Sequence, residues 1–515
     1  MVRAVARIVV VGGGTAGWLT AGLIAARHQA RITAGDLSVT LVESPDIPII
    51  GVGEGTWPSL RTTLQKMGVA EADFLRECDA AFKQGSMFAQ WTTGTGQDYY
   101  HHPFTAPQAF AQVNLVPHWL AAPVGRSFCA AASSQGEICK QGLGPKLVTT
   151  PEYQGVVNYA YHLDAGKFAD FLTRHCTNRL GVRHIKANVR EVRLSVNGDI
   201  ACIETAELGA IEGDLFVDCT GASSLLLGKA LGVPFRDCNR ILFCDRALAV
   251  QVPHATPDAP IASNTLSTAQ SSGWIWDIGL PTRRGIGHVY SSSHATDQQA
   301  EAALAAYVGP AIEKLAVRKI AIRSGFREQR WKNNCVAVGM AAGFLEPLEA
   351  SAIVLIEVSA GWIAEHLPNC REVMDIIARR FNEQTQYHWG RIIDFLKLHY
   401  VLSKRTGAFW SDNADPASVP ERLQELLALW KYHSPWNRDE FDRLEEMFPA
   451  ASYQYVLYGM GFRTEITAAG LTATLPAAGR AFSDNLASTR RLLTQLPGHR
   501  DLLRQLRGDT LPIAT

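Results

Sequence analysis

An unbroken apolar run from Ile8 to Val11 leads straight into Gly12, Gly14 and Gly17, spaced as GxGxxG. That pattern predicts a buried strand, a tight turn and a helix from Thr15 to about His28. The glycines have separate tasks: one makes the turn, one lets backbone approach a pyrophosphate, and one lets helix pack on strand. Thr15 and Ala16 then open the helix, where free N–H groups suit phosphate. A second apolar stretch, Leu37–Glu43, ends on an acid where a ribose-binding carboxylate belongs in a Rossmann unit. Further on, Asp214–Gly221 reads as a buried strand closing on Asp218 and Gly221, and Cys335–Gly339 as another followed by a turn. Residues 44–58 are rich in glycine and proline and predict a loop. From about 354 to 445 the spacing turns helical, as in Glu421–Trp430. In Gly273–Ile278 two tryptophans, Trp274 and Trp276, alternate on one strand, so both rings share a face.

These elements predict an α/β protein with an FAD-binding, Rossmann-like fold of the flavin monooxygenase type and an interwoven, largely helical substrate-binding part. The nucleotide-binding portion draws on about 1–90, 150–250 and 320–360, and the substrate-binding portion on about 91–149 and 360–515. All of 1–515 is read as one interwoven unit.

Composition adds mainly exclusions. Lys+Arg 49 against Asp+Glu 49 gives zero formal charge over 515 residues, so nothing electrostatic favours nucleic acid or an anionic membrane. No apolar run approaches the roughly 20 residues of a membrane helix, and the N-terminal apolar run lacks a cleavage site. Ten cysteines are scattered without a C-x-x-C pair, which suggests reduced thiols in a cytoplasmic protein. The adjacent His101 and His102 lack zinc spacing, and no metal is expected.

Five separated motifs, in order and across nearly the whole chain, resemble the flavin-dependent halogenases, the family that includes the tryptophan halogenases. They are GGGTAGW at 12–18, GVGEGT at 51–56, Ala81–Lys83, Trp274-x-Trp276-x-Ile278, and Phe344–Glu349. The resemblance implies that reduced FAD and dioxygen turn a halide ion, chloride or bromide, into hypohalous acid. Lys83 then holds the halogen beside an electron-rich arene, while Glu349 stabilises the arenium and helps remove its proton. Gly53 and Glu54 belong to the loop beside the flavin, Gly339 to the late strand of the cofactor site, and Trp274 and Trp276 to the shield between flavin and substrate. The backbone amides of Ser351 and Ala352 are the implied halide site, although many relatives carry Thr-Gly there.

The residues fit that chemistry on their own terms. A cation polarises a hypohalite, and a carboxylate stabilises developing positive charge. Apolar neighbours make Lys83 a partly buried amine of adjustable pKa. Glu346-Pro347 predicts a helix N-terminus near Glu349. His102 and Phe104 resemble the family's ring-stacking pair, and Phe448 falls where relatives stack a tryptophan. The tyrosines and acid that grip free tryptophan have no counterpart: Trp436, Asn437 and Arg443 stand at those positions. The expected substrate is therefore an indole-like arene and not free tryptophan.

No second nucleotide fingerprint is present, so reduced FAD is expected from a separate NAD(P)H-dependent flavin reductase; a homodimer is possible. Two other readings share the glycine fingerprint. One is a flavin monooxygenase that hydroxylates or epoxidises, although Met340-Ala-Ala after Gly339 departs from the Gly-Asp usual there. The other is a non-catalytic flavin-binding protein.

Overall fold

A computed structural model describes residues 4–47, 53–122, 125–436, 446–466 and 468–508. The apolar run Arg7–Val11 lies at the centre of a sheet because both its faces are covered, which is why it shows no alternation. Ser38–Glu43 and Leu215–Asp218 flank it in parallel; Arg183–Lys186 and Cys335–Ala337 extend the sheet in the same sense, and Trp331–Lys332 closes it antiparallel. The order, with Trp331–Lys332 at one edge and Arg183–Lys186 at the other, gathers strands from widely separated stretches of chain. This is the Rossmann-like α/β arrangement that the glycine spacing predicts.

Two further sheets position the chemistry. Gly53–Gly55 and Ala81–Lys83 pair antiparallel with opposite edges of Ala160–Asp164. Part of the glycine-rich stretch expected to be irregular is thus a strand, because its backbone pairs with Leu163 and its neighbours. A larger sheet runs Arg318–Ala321, Arg246–Pro253, Arg283–Tyr290, Gly273–Gly279, Thr265–Gln270, Gly85–Ala89 and Tyr99–Pro103. It carries the tryptophan pair at one position and His102 at its edge.

Helices cover the other faces. Thr15–Arg27 packs between the parallel sheet and the helix Ser351–Glu365. Met374–Val401 is 28 residues long, and every residue from Ile392 to Tyr400 is buried. Among the described residues no helix is long and apolar enough to cross a membrane. All ten cysteines are unpaired, and nine are buried.

The third glycine of the fingerprint shows how tightly the first helix sits. A Cβ on Gly17 would lie 1.8 Å from the carbonyl oxygen of Gly12. Gly17→Ala is therefore expected to destabilise the protein by about 1–3 kcal/mol, as overpacking does. Chemical denaturation of the two proteins checks this, and equal midpoints would show that helix and strand separate freely.

Candidate functional site

Two helices begin without a side-chain cap at one elongated cavity of about 410 Å³. The first is Thr15–Arg27, whose N-cap is Gly14; the second is Ser351–Glu365, whose N-cap is Ala350. Unpaired N–H groups at a helix start bind anions, so the cavity offers two anion-binding ends. Gly12–Ala16, Glu43, Glu54, Cys219–Gly221, Gly339, Ser351 and Ala352 all line it. Nothing approaches within 4 Å of a Cβ built on Gly14, whereas one on Gly12 would meet Cys219 O at 2.2 Å. The first glycine serves the turn and Gly14 leaves open backbone, a cradle that fits the diphosphate of FAD. Glu43 accepts a hydrogen bond from His184 at 2.8 Å, which orients its carboxylate at the sheet's edge. Gly339, at φ +68°, lies so close to the first helix that a Cβ would be 2.7 Å from Ala16. Burial pushes the carboxyl of Glu54 up to about 7.

Three expected cofactor contacts lie elsewhere. Gly17 is under the turn and packs against backbone. Asp218 is turned inward: its carboxylate accepts from Thr220, Ser224 and the amides of Leu226 and Leu227. It fixes the turn whose neighbours Cys219–Gly221 meet the cavity. Gly53 faces a smaller cavity that it shares with Trp276 and Arg283.

Segment 344–352 links this cavity to a second one. Phe344, Leu345, Ser351 and Ala352 face the first, but Glu349 lines the second with Trp57, His102, Phe104, Met447, Phe448 and Tyr455. The switch occurs at Ala350, which adopts φ 55° and ψ 42°. A left-handed conformation is uncommon for alanine and costs on the order of 1 kcal/mol. It also corrects the expected helix start: the helix begins at Ser351, while Pro347 accepts from the amide of Ala350 in a preceding turn.

Glu349 is buried, and burial alone would raise its pKa. The facing His102 and His399 outweigh that and hold it down at about 2. His102 Nδ1 lies 2.9 Å from Glu349 Oε1, and His399 Nε2 lies 3.0 Å from the same oxygen. Tyr100 is 2.6 Å from His399 Nδ1. The phenol donates to that nitrogen, so the ring proton sits on Nε2, at ion-pair distance from the carboxylate but off hydrogen-bond alignment. Burial lowers the His399 pKa, in keeping with a neutral ring.

Lys83 ends the strand Ala81–Lys83 and is 1% exposed. Its Nζ donates to Thr56 O at 3.3 Å and stands 5.3 Å from the Phe104 ring centroid. A Cβ on Gly55 would lie 3.2 Å from Nζ and 3.3 Å from Ala350 Cβ. The amine is thus wedged between the turn at Ala350 and the aromatic wall of the second cavity. Desolvation lowers its pKa to about 8, against a smaller opposing pull from Glu349.

The expected ring-stackers His102, Phe104 and Phe448 all line the second cavity. Phe448 is itself stacked on Phe395 at 3.7 Å and meets Trp57 edge-on at 4.7 Å. Trp57, Phe395 and His399 were not expected from the sequence. Phe395 and His399 are four residues apart on one helix, hence on one face; the stretch 392–400, which also carries Asp394 and Lys397, gives no local signal for either. Trp436 donates to Phe110 O at 2.7 Å, whereas Asn437 and Arg443 lie outside the described residues. Trp274 and Trp276 do share a face, with ring centroids 6.2 Å apart. Trp274 Nε1 donates to buried Glu346 at 3.3 Å, and Trp276 covers Gly287, which has no side chain to obstruct the ring.

A cavity that fits a dinucleotide lies on the parallel sheet and is joined by one turn to an aromatic cavity flanked by a buried amine and a buried carboxylate. Comparison with known proteins gives the family. The tryptophan halogenase profile matches residues 7–474. The tryptophan halogenase of Shewanella frigidimarina NCIMB 400 has a crystal structure that superimposes with a TM-score of 0.95, at 49% identity over 99% of both chains. The 7-chloro-L-tryptophan 6-halogenase KtzR of Kutzneria sp. (strain 744) is 34% identical over 97% of this chain and 99% of its own. BrvH, a flavin-dependent halogenase from Brevundimonas sp. BAL3, is 35% identical with a TM-score of 0.86, over 97% of this chain and 99% of its own. The chain belongs to the tryptophan halogenase family and is a flavin-dependent halogenase.

The Lys83 environment carries a stability cost with a defined pH window. A buried amine with a pKa near 8 in the folded protein and 10.5 when free binds fewer protons folded than unfolded between those values. Stability from this group therefore rises with pH across that window, and its penalty is complete below about 8. Lys83→Met is expected to be more stable than wild type at pH 7, by about 3 kcal/mol as an order of magnitude. The gain should shrink toward pH 10.5. Denaturation midpoints of both proteins from pH 6 to 10 test this; a pH-independent difference would mean the amine is not desolvated.

Proposed function

We propose that the protein halogenates an indole-like, electron-rich arene, and that Lys83 and Glu349 carry the transfer. The observation behind this is that both groups meet the wall of the second cavity: Glu349 lines it, held by two histidines, and the buried Lys83 amine stands over Phe104, which lines it too. When bound, reduced FAD with dioxygen supplies the oxidising equivalents that convert halide to hypohalous acid, and a separate flavin reductase supplies the reduced flavin. Gly12–Ala16, Glu43 and Gly339 would hold that cofactor. The uncapped amides of Ser351 and Ala352 would hold chloride or bromide at the other end of the same cavity.

Hypohalous acid next meets the Lys83 ammonium. At neutral pH an amine with a pKa of about 8 is mostly protonated and is acidic enough to protonate the departing oxygen. The arene carbon forms its bond to halogen as the oxygen–halogen bond breaks, and the oxygen leaves as water. Glu349 then stabilises the positive ring and takes the proton from the substituted carbon. A carboxylate with a pKa near 2 is a weak base, but an arenium is a far stronger acid than a carboxylic acid. The task is electrostatic, and a preorganised anion suits it. Trp274 and Trp276 are proposed to keep substrate and cofactor apart.

The lining supports an indole-like substrate over free tryptophan. Among the described residues that line the second cavity the one carboxylate is Glu349, already committed to His102 and His399, and the nearby Lys83 amine stands 5.3 Å from the Phe104 ring. An ammonium and carboxylate of free tryptophan would each enter unpaired, at a cost of about 1–3 kcal/mol. A neutral indole between aromatic walls carries no such cost.

The test is mass spectrometry of indole, and separately of free tryptophan, incubated with protein, FAD, a flavin reductase, NADH and either chloride or bromide. A monohalogenated indole with the isotope pattern of the added halide is expected, at higher turnover than tryptophan. An oxygen adduct would instead indicate a monooxygenase, and preferred turnover of tryptophan would overturn the substrate assignment. Lys83→Ala is expected to abolish halogenation while reduced flavin is still oxidised to give peroxide. Glu349→Gln should slow halogenation by about 10²-fold or more with FAD affinity unchanged, as read by flavin fluorescence; near-normal turnover would remove its assigned role.

A further inference from the structure

The strand that carries Lys83 is an edge strand, paired on one side only with Ala160–Asp164. The register sets Phe82 opposite Tyr161, yet the Phe82 amide points away from that partner. It donates to His499 Nε2 at 3.0 Å, where both groups are buried. An outward N–H on a buried edge needs an acceptor, and a side chain from the far end of the chain supplies it.

The other ring nitrogen fixes the histidine's state. His499 Nδ1 is 3.1 Å from Ile261 O, and a carbonyl can only accept. The Nδ1 proton is therefore present, the Nε2 lone pair is free for Phe82, and the ring is neutral. A protonated ring would turn an N–H toward the Phe82 N–H.

His499 opens the helix His499–Arg507, which is anchored by buried Leu502 and Leu503. Its last residue, Arg507, is 3.4 Å from Asp79, which enters the strand at φ 48°. One helix thus holds the lysine segment at two points, residues 79 and 82. Lys83 is next to the second point, and the wedge around its Nζ leaves no room for the strand to drift: Gly55 has no side chain, and Phe104 stands opposite.

We propose that His499 is a positioning residue for Lys83: the last helix closes the open edge of the lysine strand and keeps the amine in the gap between Gly55 and Phe104. This rests on the halogen-transfer role given to Lys83 above, so the test includes a readout that does not depend on it.

The side-chain lengths of two amides separate positioning from mere helix docking. In His499→Gln the amide oxygen reaches the place of Nε2 and can accept from Phe82. In His499→Asn the polar atoms reach only the place of Nδ1, so the Ile261 contact is kept and the Phe82 contact is lost. The measurements are Phe82 amide exchange by hydrogen–deuterium exchange and halogenated indole formed per reduced flavin oxidised. His499→Asn is expected to speed Phe82 exchange by about tenfold or more. It should lower product per flavin by about 10- to 100-fold, the scale of a 1 Å misplacement, with flavin oxidation itself unchanged. His499→Gln should restore both.

Two results would overturn the proposal: a Phe82 amide that stays protected in His499→Asn, or product yields that are equal in the Asn and Gln variants and follow only their melting temperatures. If the wild-type protein makes no halogenated indole, the substrate assignment fails on its own and the yield is read on the arene it does halogenate. The exchange data then still decide whether His499 holds the strand.

Discussion

A carboxylate stays ionised in a dry cavity only if donors replace the water it has lost. Glu349 meets that condition with two histidines brought from different elements, one at the edge of the large sheet and one inside the long helix Met374–Val401. Much of the site follows from this constraint. His102 must face the carboxylate, which sets the direction of the Tyr99–Pro103 strand and brings Phe104, two residues on, to the same cavity. His399 must face it as well, and the same helix turn then delivers Phe395 beneath Phe448. The charge and the aromatic wall are consequences of one packing arrangement.

Ala350 is the joint between the two halves of the molecule. Its left-handed backbone lets consecutive residues serve different cavities, the Glu349 carboxylate in one and the Ser351 amide in the other. An ordinary helical residue there would extend the helix backward and draw Glu349 around the axis, away from the two histidines. The local cost of about 1 kcal/mol is offset by Trp57, whose indole N–H donates to Glu349 O at 2.7 Å. The turn is held from outside as well as from within.

Local chemistry was the legible part of the sequence. The glycine turn and the first parallel strands announce themselves within a few residues, because the backbone demands glycine at that spacing; Lys83, Glu349 and the pair His102–Phe104 came instead from the family resemblance, and the structure brings these four together. Groups that act through tertiary contact were silent. Nothing near His399 indicates a partner fifty residues upstream, and Trp57 reads as part of a glycine-proline loop. The proline at 347 pointed to an earlier helix start, since proline favours first turns, but a single left-handed residue later in the segment overrode that preference. Asp218 looked like a ligand because it ends a strand beside a glycine; its carboxylate meets five donors of the following turn, a local competition that acidic residues at strand ends often win.

Lys83 and Glu349 show opposite solutions to burial. The acid is over-supplied with donors, so its charge is stabilised and its basicity reduced. The amine has one weak contact, to Thr56 O, so its charge is destabilised and its acidity increased. Had each paired closely with the other, the lysine pKa would rise and the ammonium would be a poorer acid, while the carboxylate, held lower still, would be screened from the ring we propose it stabilises. Keeping them in separate environments around one aromatic cavity preserves both properties at a cost in stability. Functional sites commonly carry such a cost, and here the surrounding scaffold of packed aromatic rings bears it.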